Sequence, residues 1–393
     1  MCGIIGVLSR RPSRPVPTQD DILGLLDSAI AALEDPVAMA AAASHADALL
    51  RGLPGVQALA DRSELITEIT HRLDRLDAAT EALERSVEHG VHTPDELELR
   101  NAEVIALRDV LWTLRHDRLR TADEVALLAG RDAGEGSLAA YLAIQQALSA
   151  LDRLEVRGRD SAGLHVFVEG HGLDLADPSI ASVLAGRSGD PTFQTGSVRA
   201  AGDVLSFVYK AAAEIGELGD NTRTLRAAIA ADTLLRLAVS GPDSRTAVVG
   251  HTRWASVGII SEPNAHPINS DELEASAAIV QPPYVVAALN GDVDNHADLR
   301  VEHQLRIHHQ ITTDAKVIPA LVARHAATGH DTVEAFRRTV AAFEGSVAIA
   351  AMGADDTGRL MLALKGSGQG LYVGLAEDCY IVASEPYGVV EET

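Results

Sequence analysis

The chain opens on a buried-strand sequence, Gly3-Ile4-Ile5-Gly6-Val7-Leu8, yet the next strand-forming run comes well over a hundred residues later. Between the two the pattern is helical. The intervening stretch begins after the proline-rich break Arg10-Arg11-Pro12-Ser13-Arg14-Pro15-Val16-Pro17 and has helical spacing. Thr18 is placed to cap a helix whose apolar residues Ile22, Leu25, Leu26, Ile30 and Leu33 recur every three or four positions. Pro36 ends it and starts another, and the same spacing returns through Leu65, Ile69, Leu73 and Leu76 and through Val104, Leu107, Leu111 and Leu114. Thr93-Pro94-Asp95-Glu96 reads as a capped start with proline in the first turn. Residues 18–132 are therefore predicted to be an all-helical bundle without a catalytic pattern. Its charges form solvated faces or a docking surface, and His71 and His116 are expected to be surface or hydrogen-bonded residues.

Gly134-Glu135-Gly136 breaks the pattern, and a helix over 138–154 leads into Arg157-Gly158-Arg159-Asp160-Ser161-Ala162-Gly163. Strands are predicted at 164–168, 204–208 and 247–249, with helical spacing over 211–237 between the last two. Further strands are predicted at 284–289, 347–352, 360–364, 371–374 and 380–383, and helices over 314–326 and 331–343.

Composition narrows the function. With 47% hydrophobic residues the chain is no disordered polymer, and with 3% aromatics its cores must be mostly Ala, Val, Leu and Ile. A formal net charge of −23 without a basic patch argues against nucleic-acid binding. No run approaches the roughly 18 apolar residues of a membrane span. The apolar residues of the N-terminus precede Arg10 and Arg11, the reverse of a signal peptide. Two cysteines, Cys2 and Cys379, make no disulfide framework, and Cys379 in Cys379-Tyr380-Ile381-Val382-Ala383 reads as a buried structural thiol. A cytoplasmic location without membrane association is expected.

Cys2 has other prospects. Loss of Met1, expected before a residue as small as cysteine, leaves a thiol and a free amine on one residue. A thiol attacks as thiolate, and a free cysteine with a pKa of about 8.5 holds little thiolate at neutral pH. An α-amine at roughly 7.7–8.0 is partly neutral and can take the proton.

Four clusters offer partners. Gly250-His251-Thr252-Arg253-Trp254-Ala255-Ser256 follows a strand and precedes Asn264-Ala265-His266-Pro267. Arg253 there either clamps a carboxylate through paired hydrogen bonds or makes a surface salt bridge. Leu289-Asn290-Gly291, at a predicted strand end, is either the amide and backbone N–H pair that an oxyanion needs or an Asn-Gly turn. Asp314, after Thr312-Thr313, either meets an ammonium or caps a helix. The glycines between Arg157 and Gly163 suggest close backbone packing near the opening strand. Gly366-Ser367-Gly368-Gln369-Gly370 resembles a phosphate loop but precedes a strand, so a hairpin turn is predicted. His308-His309 has no partner at metal-ligand spacing, so no metal is expected, and no cofactor.

In kind and order these clusters, with Cys2-Gly3-Ile4-Ile5-Gly6 first and Asn295-His296 after Asn290-Gly291, resemble the class II (N-terminal nucleophile) glutamine amidotransferases. The resemblance is closest to the glutaminase domain of the glutamine–fructose-6-phosphate aminotransferases. Trp254 after Arg253 separates it from the amidophosphoribosyltransferases, whose motif usually carries a tyrosine there. It covers residues 1–9 and 136–393, leaves 18–132 as an inserted all-helical bundle, and implies an α+β fold, a four-layer α/β/β/α N-terminal nucleophile hydrolase sandwich. It also implies that Cys2 attacks the amide of L-glutamine and that Asn290 and the Gly291 N–H stabilise the oxyanion. Arg253 and Asp314 would hold the substrate's α-carboxylate and α-ammonium, Trp254 would close the site, Ser256 and His266 would line it, and Arg157 would support it.

There are departures. Ser256-Val257 stands where the family has Thr-His, which keeps a hydroxyl and loses a ring that can hydrogen-bond, and Asp314 is followed by Ala315-Lys316 instead of Thr-Glu. The expected activity is hydrolysis of L-glutamine through a Cys2 thioester. The ammonia would pass to a sugar-isomerase synthase module, beyond Thr393 or in a partner, for glucosamine 6-phosphate synthesis, and a homo-oligomer is expected. Two alternatives are an amidotransferase for another acceptor such as phosphoribosyl pyrophosphate, and a non-catalytic glutamine-sensing domain with the helical bundle as an assembly surface.

Overall fold

The computed structural model describes residues 2–212, 217–273 and 283–391. It divides into two compact units, Arg11–Ala133 on one hand and Met1–Arg10 with Gly134–Thr393 on the other.

The first unit contains α1 (Gln19–Ala31), α2 (Pro36–Leu50), α3 (Gly52–Leu59), α4 (Ser63–His89), α5 (Pro94–Thr113) and α6 (Arg120–Ala129), with a π-helical turn, Leu114–Leu119, between the last two. Thr18 with Asp21, and Thr93 with Glu96, form reciprocal capping boxes that occupy N–H groups a helix start otherwise leaves unpaired. The spacing of three and four brings Ile22, Leu26, Leu65, Ile69, Leu73, Leu107 and Leu111 into one core. Arg118 and Asp47 pair at 2.7 Å beside it, both buried. His116 stacks on Trp112 with 4.8 Å between ring centroids.

The second unit mixes α and β. Its elements are β1 (Gly3–Ser9), α7 (Glu135–Leu154), β2 (Ser161–Glu169), α8 (Pro178–Ser188), β3 (Val198–Ala201), β4 (Val204–Ala211), α9 (Asp220–Ala231), α10 (Thr233–Val239) and β5 (Arg245–Arg253). They continue with β6 (Ile268–Asn269), β7 (Val285–Val293), α11 (His296–Glu302), α12 (Val317–Ala327), α13 (Thr332–Ala341), β8 (Gly345–Gly353), β9 (Met361–Lys365), β10 (Tyr372–Leu375) and β11 (Cys379–Ala383). Among the described residues the strands form a seven-stranded sheet, β10-β11-β1-β5-β2-β4-β3, and a four-stranded sheet, β6-β7-β8-β9. The opening strand thus finds its partners late in the chain, antiparallel to β5 and β11.

Alternation along the strands gives each sheet two faces. Ile4, Phe167, Ala247 and Val249 of one sheet share a core with Val286, Ala288, Ala348, Ala350 and Met352 of the other. On the opposite face of the smaller sheet, Val285, Ala287, Leu289 and Ile349 pack with Val317, Ile318 and Leu321 of α12 and Phe336 of α13. In the larger sheet, α7 packs on β1 and β5, and α9 on β2 and β4. Cys379 is buried on β11.

Two expectations are corrected here. The helical spacing over 211–237 resolves into α9 and α10, and Ala211 belongs to β4 because its backbone pairs opposite Ala162; residues 213–216 lie outside the described residues. The glycine-rich stretch 366–370 is no hairpin turn. β9 pairs with β8 in the smaller sheet and β10 with β11 in the larger one, so this loop crosses between sheets. The helices α8 and α11 and the strand β3 were not anticipated from the sequence.

Candidate active site

The period of two also decides which side chains end the layer between the sheets. On β5 the side that carries Ala247 and Val249 continues to His251 and Arg253, on β7 that of Val286 and Ala288 continues to Asn290, and on β1 that of Ile4 leads back to Cys2. Pairing of Gly3 with Thr252 brings Cys2 and Arg253 to the same sheet end. A thiol, a guanidinium, an imidazole and an amide therefore converge.

The Cys2 Sγ accepts from the Trp254 backbone N–H at 3.3 Å and lies 3.5 Å from the Trp254 carbonyl oxygen. Asn290 Nδ2 donates to the Cys2 carbonyl at 3.0 Å. Burial pushes the Cys2 thiol pKa up, opposed by the Trp254 N–H and the Arg253 charge, while Asp292 adds to the rise. A thiol held in this way needs a base to react at neutral pH.

Asn290-Gly291 is neither a turn nor a strand end. β7 runs on to Val293 because its pairing with β8 persists, Asn290 opposite Ala348 and Gly291 opposite Val347. Gly291 has φ of +87°, and a Cβ there would stand 1.9 Å from the Ser346 carbonyl oxygen, so glycine is required.

Arg253 is only 3% exposed, which removes the surface salt bridge reading. Its guanidinium donates to the carbonyls of Val257 and, at 3.2 Å, Ile259. Val257 thus contributes a backbone acceptor although its side chain has none. Burial draws the Arg253 pKa down, with Cys2, Asp314 and Asp160 opposing. The base of this loop is gripped by Asp160, whose carboxylate accepts from Ala255 N–H at 2.7 Å and whose own N–H donates to the Arg253 carbonyl at 3.1 Å. A Cβ on Gly158 would meet the Arg253 carbonyl carbon at 2.7 Å, so that glycine permits the approach. Asp160 is a residue to which sequence reasoning gave no role; its position between Gly158 and Gly163 was the available signal.

Asp314 is buried, and its carboxylate accepts from Val293 N–H at 2.8 Å. The cap that the sequence offered to Asp314 belongs to Thr313, whose hydroxyl accepts from Ala315 N–H. Burial raises the Asp314 pKa, the Val293 N–H opposes and Asp292 adds to it. His266 is buried behind these groups: Leu289 N–H donates to Nδ1 at 3.4 Å, which leaves Nε2 as donor to Thr313 Oγ1 at 3.0 Å. It braces the Thr313-Asp314 turn.

Ser256 donates to Asp292 at 2.6 Å, which makes Asp292 a second carboxylate of the site that sequence reasoning missed. The Trp254 side chain is 58% exposed. Arg157 pairs with Glu385 at 2.8 Å and links the turn after α7 to the segment after β11. Lys316, in place of the family's glutamate, is buried and donates to the carbonyls of Asn269 and Asp271 at 2.7 and 2.6 Å. Among the described residues no set of three or more His, Cys, Asp or Glu is arranged to hold a metal ion.

No protein-family model matches the chain. Over 159 residues, 40% of this chain and 24% of the relative, it is 33% identical to the glutamine–fructose-6-phosphate aminotransferase [isomerizing] of Geobacillus kaustophilus. It is also 33% identical, over 146 residues, to the protein of the same name from Xanthomonas campestris, covering 37% of this chain and 22% of that one. Over these stretches the chain is similar to glutamine-dependent aminotransferases. The chain spans about a quarter of the length of the relatives it matches. Among solved structures, the allosteric regulatory enzyme of purine biosynthesis aligns with a TM-score of 0.40 at 19% identity, over 63% of this chain and 41% of that one. The B. subtilis glutamine phosphoribosylpyrophosphate amidotransferase aligns at 0.38 and 19%, over 63% and 40%.

Proposed function

We propose that the chain hydrolyses L-glutamine to glutamate and ammonia by acyl transfer through Cys2. The observation that carries this reading is the one sheet end where the Cys2 thiol, the Trp254 N–H and the Asn290 amide meet beside buried Arg253 and Asp314. With Met1 removed, the Cys2 α-amine takes the thiol proton and Sγ attacks the side-chain carboxamide carbon. Asn290 Nδ2 and the Gly291 N–H receive the oxyanion, a contribution worth about 2.7–4 kcal/mol per donor in comparable sites. The amine returns the proton to the leaving ammonia, and water then cleaves the γ-glutamyl thioester to free glutamate and the thiol. Arg253 attracts the substrate α-carboxylate and Asp314 its α-ammonium. Ser256 keeps Asp292 oriented, and Trp254 closes over the bound substrate.

Two facing sheets with helices on their outer faces support a four-layer α/β/β/α sandwich, formed by residues 1–9 and 136–393 with 18–132 inserted. The names of the relatives favour an ammonia acceptor derived from fructose 6-phosphate over phosphoribosyl pyrophosphate, bound by a sugar-isomerase module outside this chain that makes glucosamine 6-phosphate. A nucleophilic thiol and a second cysteine outside any disulfide suit the reducing cytoplasm. No helix of the described residues is long and apolar enough to cross a membrane.

The test is glutamate release by the purified chain, after mass spectrometry has shown Cys2 to be the first residue. Turnover by the wild type and none by Cys2→Ala is expected. Undiminished release by the alanine variant excludes the thioester, whereas glutamine binding without turnover by the processed wild type supports the sensing alternative.

A further inference from the structure

We propose that His251 is a positioning residue that fixes the orientation of the Asn290 amide toward the nucleophile. The inference rests on the amidotransferase reading above. His251 is fully buried on β5, and its ring stacks on that of His266 with 4.5 Å between centroids. Its Nε2 lies 2.8 Å from the Leu289 carbonyl oxygen and 3.1 Å from Asn290 Oδ1. A backbone carbonyl can only accept, so Nε2 carries the proton. Burial holds the His251 pKa down to about 3, so the ring is neutral and has this one N–H.

That N–H decides the amide. The Asn290 atom facing His251 must accept, so it is the oxygen, and the NH2 group is turned to the side where it donates to the Cys2 carbonyl at 3.0 Å. An asparagine amide flipped about its last bond would instead present an acceptor where an oxyanion develops, which repels the charge it should stabilise. The backbone of Leu289 is held at both of its polar groups, its carbonyl by His251 and its N–H by His266, so the histidine pair also fixes the strand from which Asn290 projects.

The experiment compares the full chain with His251→Phe, which fills the ring volume but donates nothing, and His251→Gln, whose amide N–H has a similar reach. Each is made alone and with Asn290→Ala, and rates are expressed per Cys2 thiol titrated with a glutamine-derived chloroketone. His251→Phe is expected to lower kcat by about 10- to 100-fold with KM for glutamine within about threefold, because the donor acts only in the transition state. His251→Gln should recover most of that loss, and in the Asn290→Ala background His251→Phe should cost nothing further. A kcat within about twofold of wild type, a loss confined to KM, or losses that multiply in the double variant each overturn the proposal. If the phenylalanine variant does not fold, His251→Asn, too short to reach the Leu289 carbonyl, replaces it under the same criteria. Failure of the wild type to release glutamate counts against the amidotransferase reading, whereas an active wild type with unaffected His251 variants counts against His251 alone.

Discussion

Asp314, proposed above to meet the substrate α-ammonium, is a buried carboxylate whose pKa is raised above the ordinary aspartate value of about 3.9, by burial first and with Asp292 adding to it. The consequence is a pH dependence of binding. As pH falls toward the raised value, Asp314 takes up a proton and loses its attraction for an α-ammonium, which itself stays charged throughout that range. KM for glutamine should therefore rise on the acid side, at a higher pH than an ordinary aspartate would impose. Asp314→Asn should raise KM at neutral pH by about 10- to 100-fold, the worth of one charge-assisted hydrogen bond, and abolish the acid limb. The measurement is KM against pH from about 4 to 7, set against the ordinary carboxylate range. An acid limb that persists in the asparagine variant refutes the assignment to Asp314.

At the scale of elements, β4 carries a charge on the side of the sheet that faces its partner. The alternation that takes Val204 into the inter-sheet core continues through Ser206 to Lys210, which is buried opposite Gly163 and has no hydrogen-bond partner for its Nζ among the described residues. Its Nζ lies 5.2 Å from the centroid of the Phe193 ring. Burial pulls the Lys210 pKa down to about 7, with Lys316 adding to the fall and Glu262 and Asp190 opposing it. An unfolded lysine titrates near 10.4, so between about 7 and 10.4 the unfolded chain holds a proton that the folded chain has released, and stability from this residue rises with pH. Below about 7 the buried ammonium is fully charged and its penalty is complete. Lys210→Met should remove that penalty, stabilise the protein by on the order of 2–4 kcal/mol at about pH 6, and flatten the pH slope. Urea unfolding at about pH 6 and 9 checks it, and a methionine variant no more stable than wild type at the lower pH refutes it. No sequence pattern announces such a residue, because its burial depends on which strands become neighbours. The same distinction separates what was legible from what was not. Thr18 with Asp21 and Thr93 with Glu96 are local, so the caps were readable. Cys2, Arg253 and Asn290 lie in recognisable clusters, so the residues that meet at one sheet end were readable too. The apolar runs on either side of 366–370 look alike in a hairpin and in a sheet crossing, and only the pairing with β8 and β11 tells them apart. The parts played by Asp160, Asp292 and His251 arise from contacts between segments far apart in the chain, which spacing along it does not record.

For the molecule as a whole, the question is whether the site needs the helices that interrupt its sequence. The chain leaves the α/β unit after Arg10 and returns to it at Gly134. Both ends are tied down by contacts made inside that unit. Arg10 donates its N–H to the Asp378 carbonyl at 2.6 Å and its guanidinium to the Tyr380 hydroxyl and the Ala376 carbonyl, both at 2.9 Å. On the other side, α7 packs on β1 and β5, the strands that carry Cys2 and Arg253 to one sheet end. The helical unit for its part has its own caps, its own core and its own buried ion pair. Each unit therefore contains the interactions a folded domain requires. Replacing residues 12–132 by a flexible glycine-serine linker of about 25 residues, with a reach of roughly 25–30 Å, removes a folded block at the expense of a loop-closure entropy that grows only by about 0.6 kcal/mol per doubling of length. The expected result is a folded chain whose glutamate release per titrated Cys2 stays within about threefold of the parent, since no group in the proposed acyl transfer lies in the helices. A folded variant with no turnover assigns the helices a part in the reaction, and a variant that does not fold shows that β1 reaches its place between β5 and β11 only with their help.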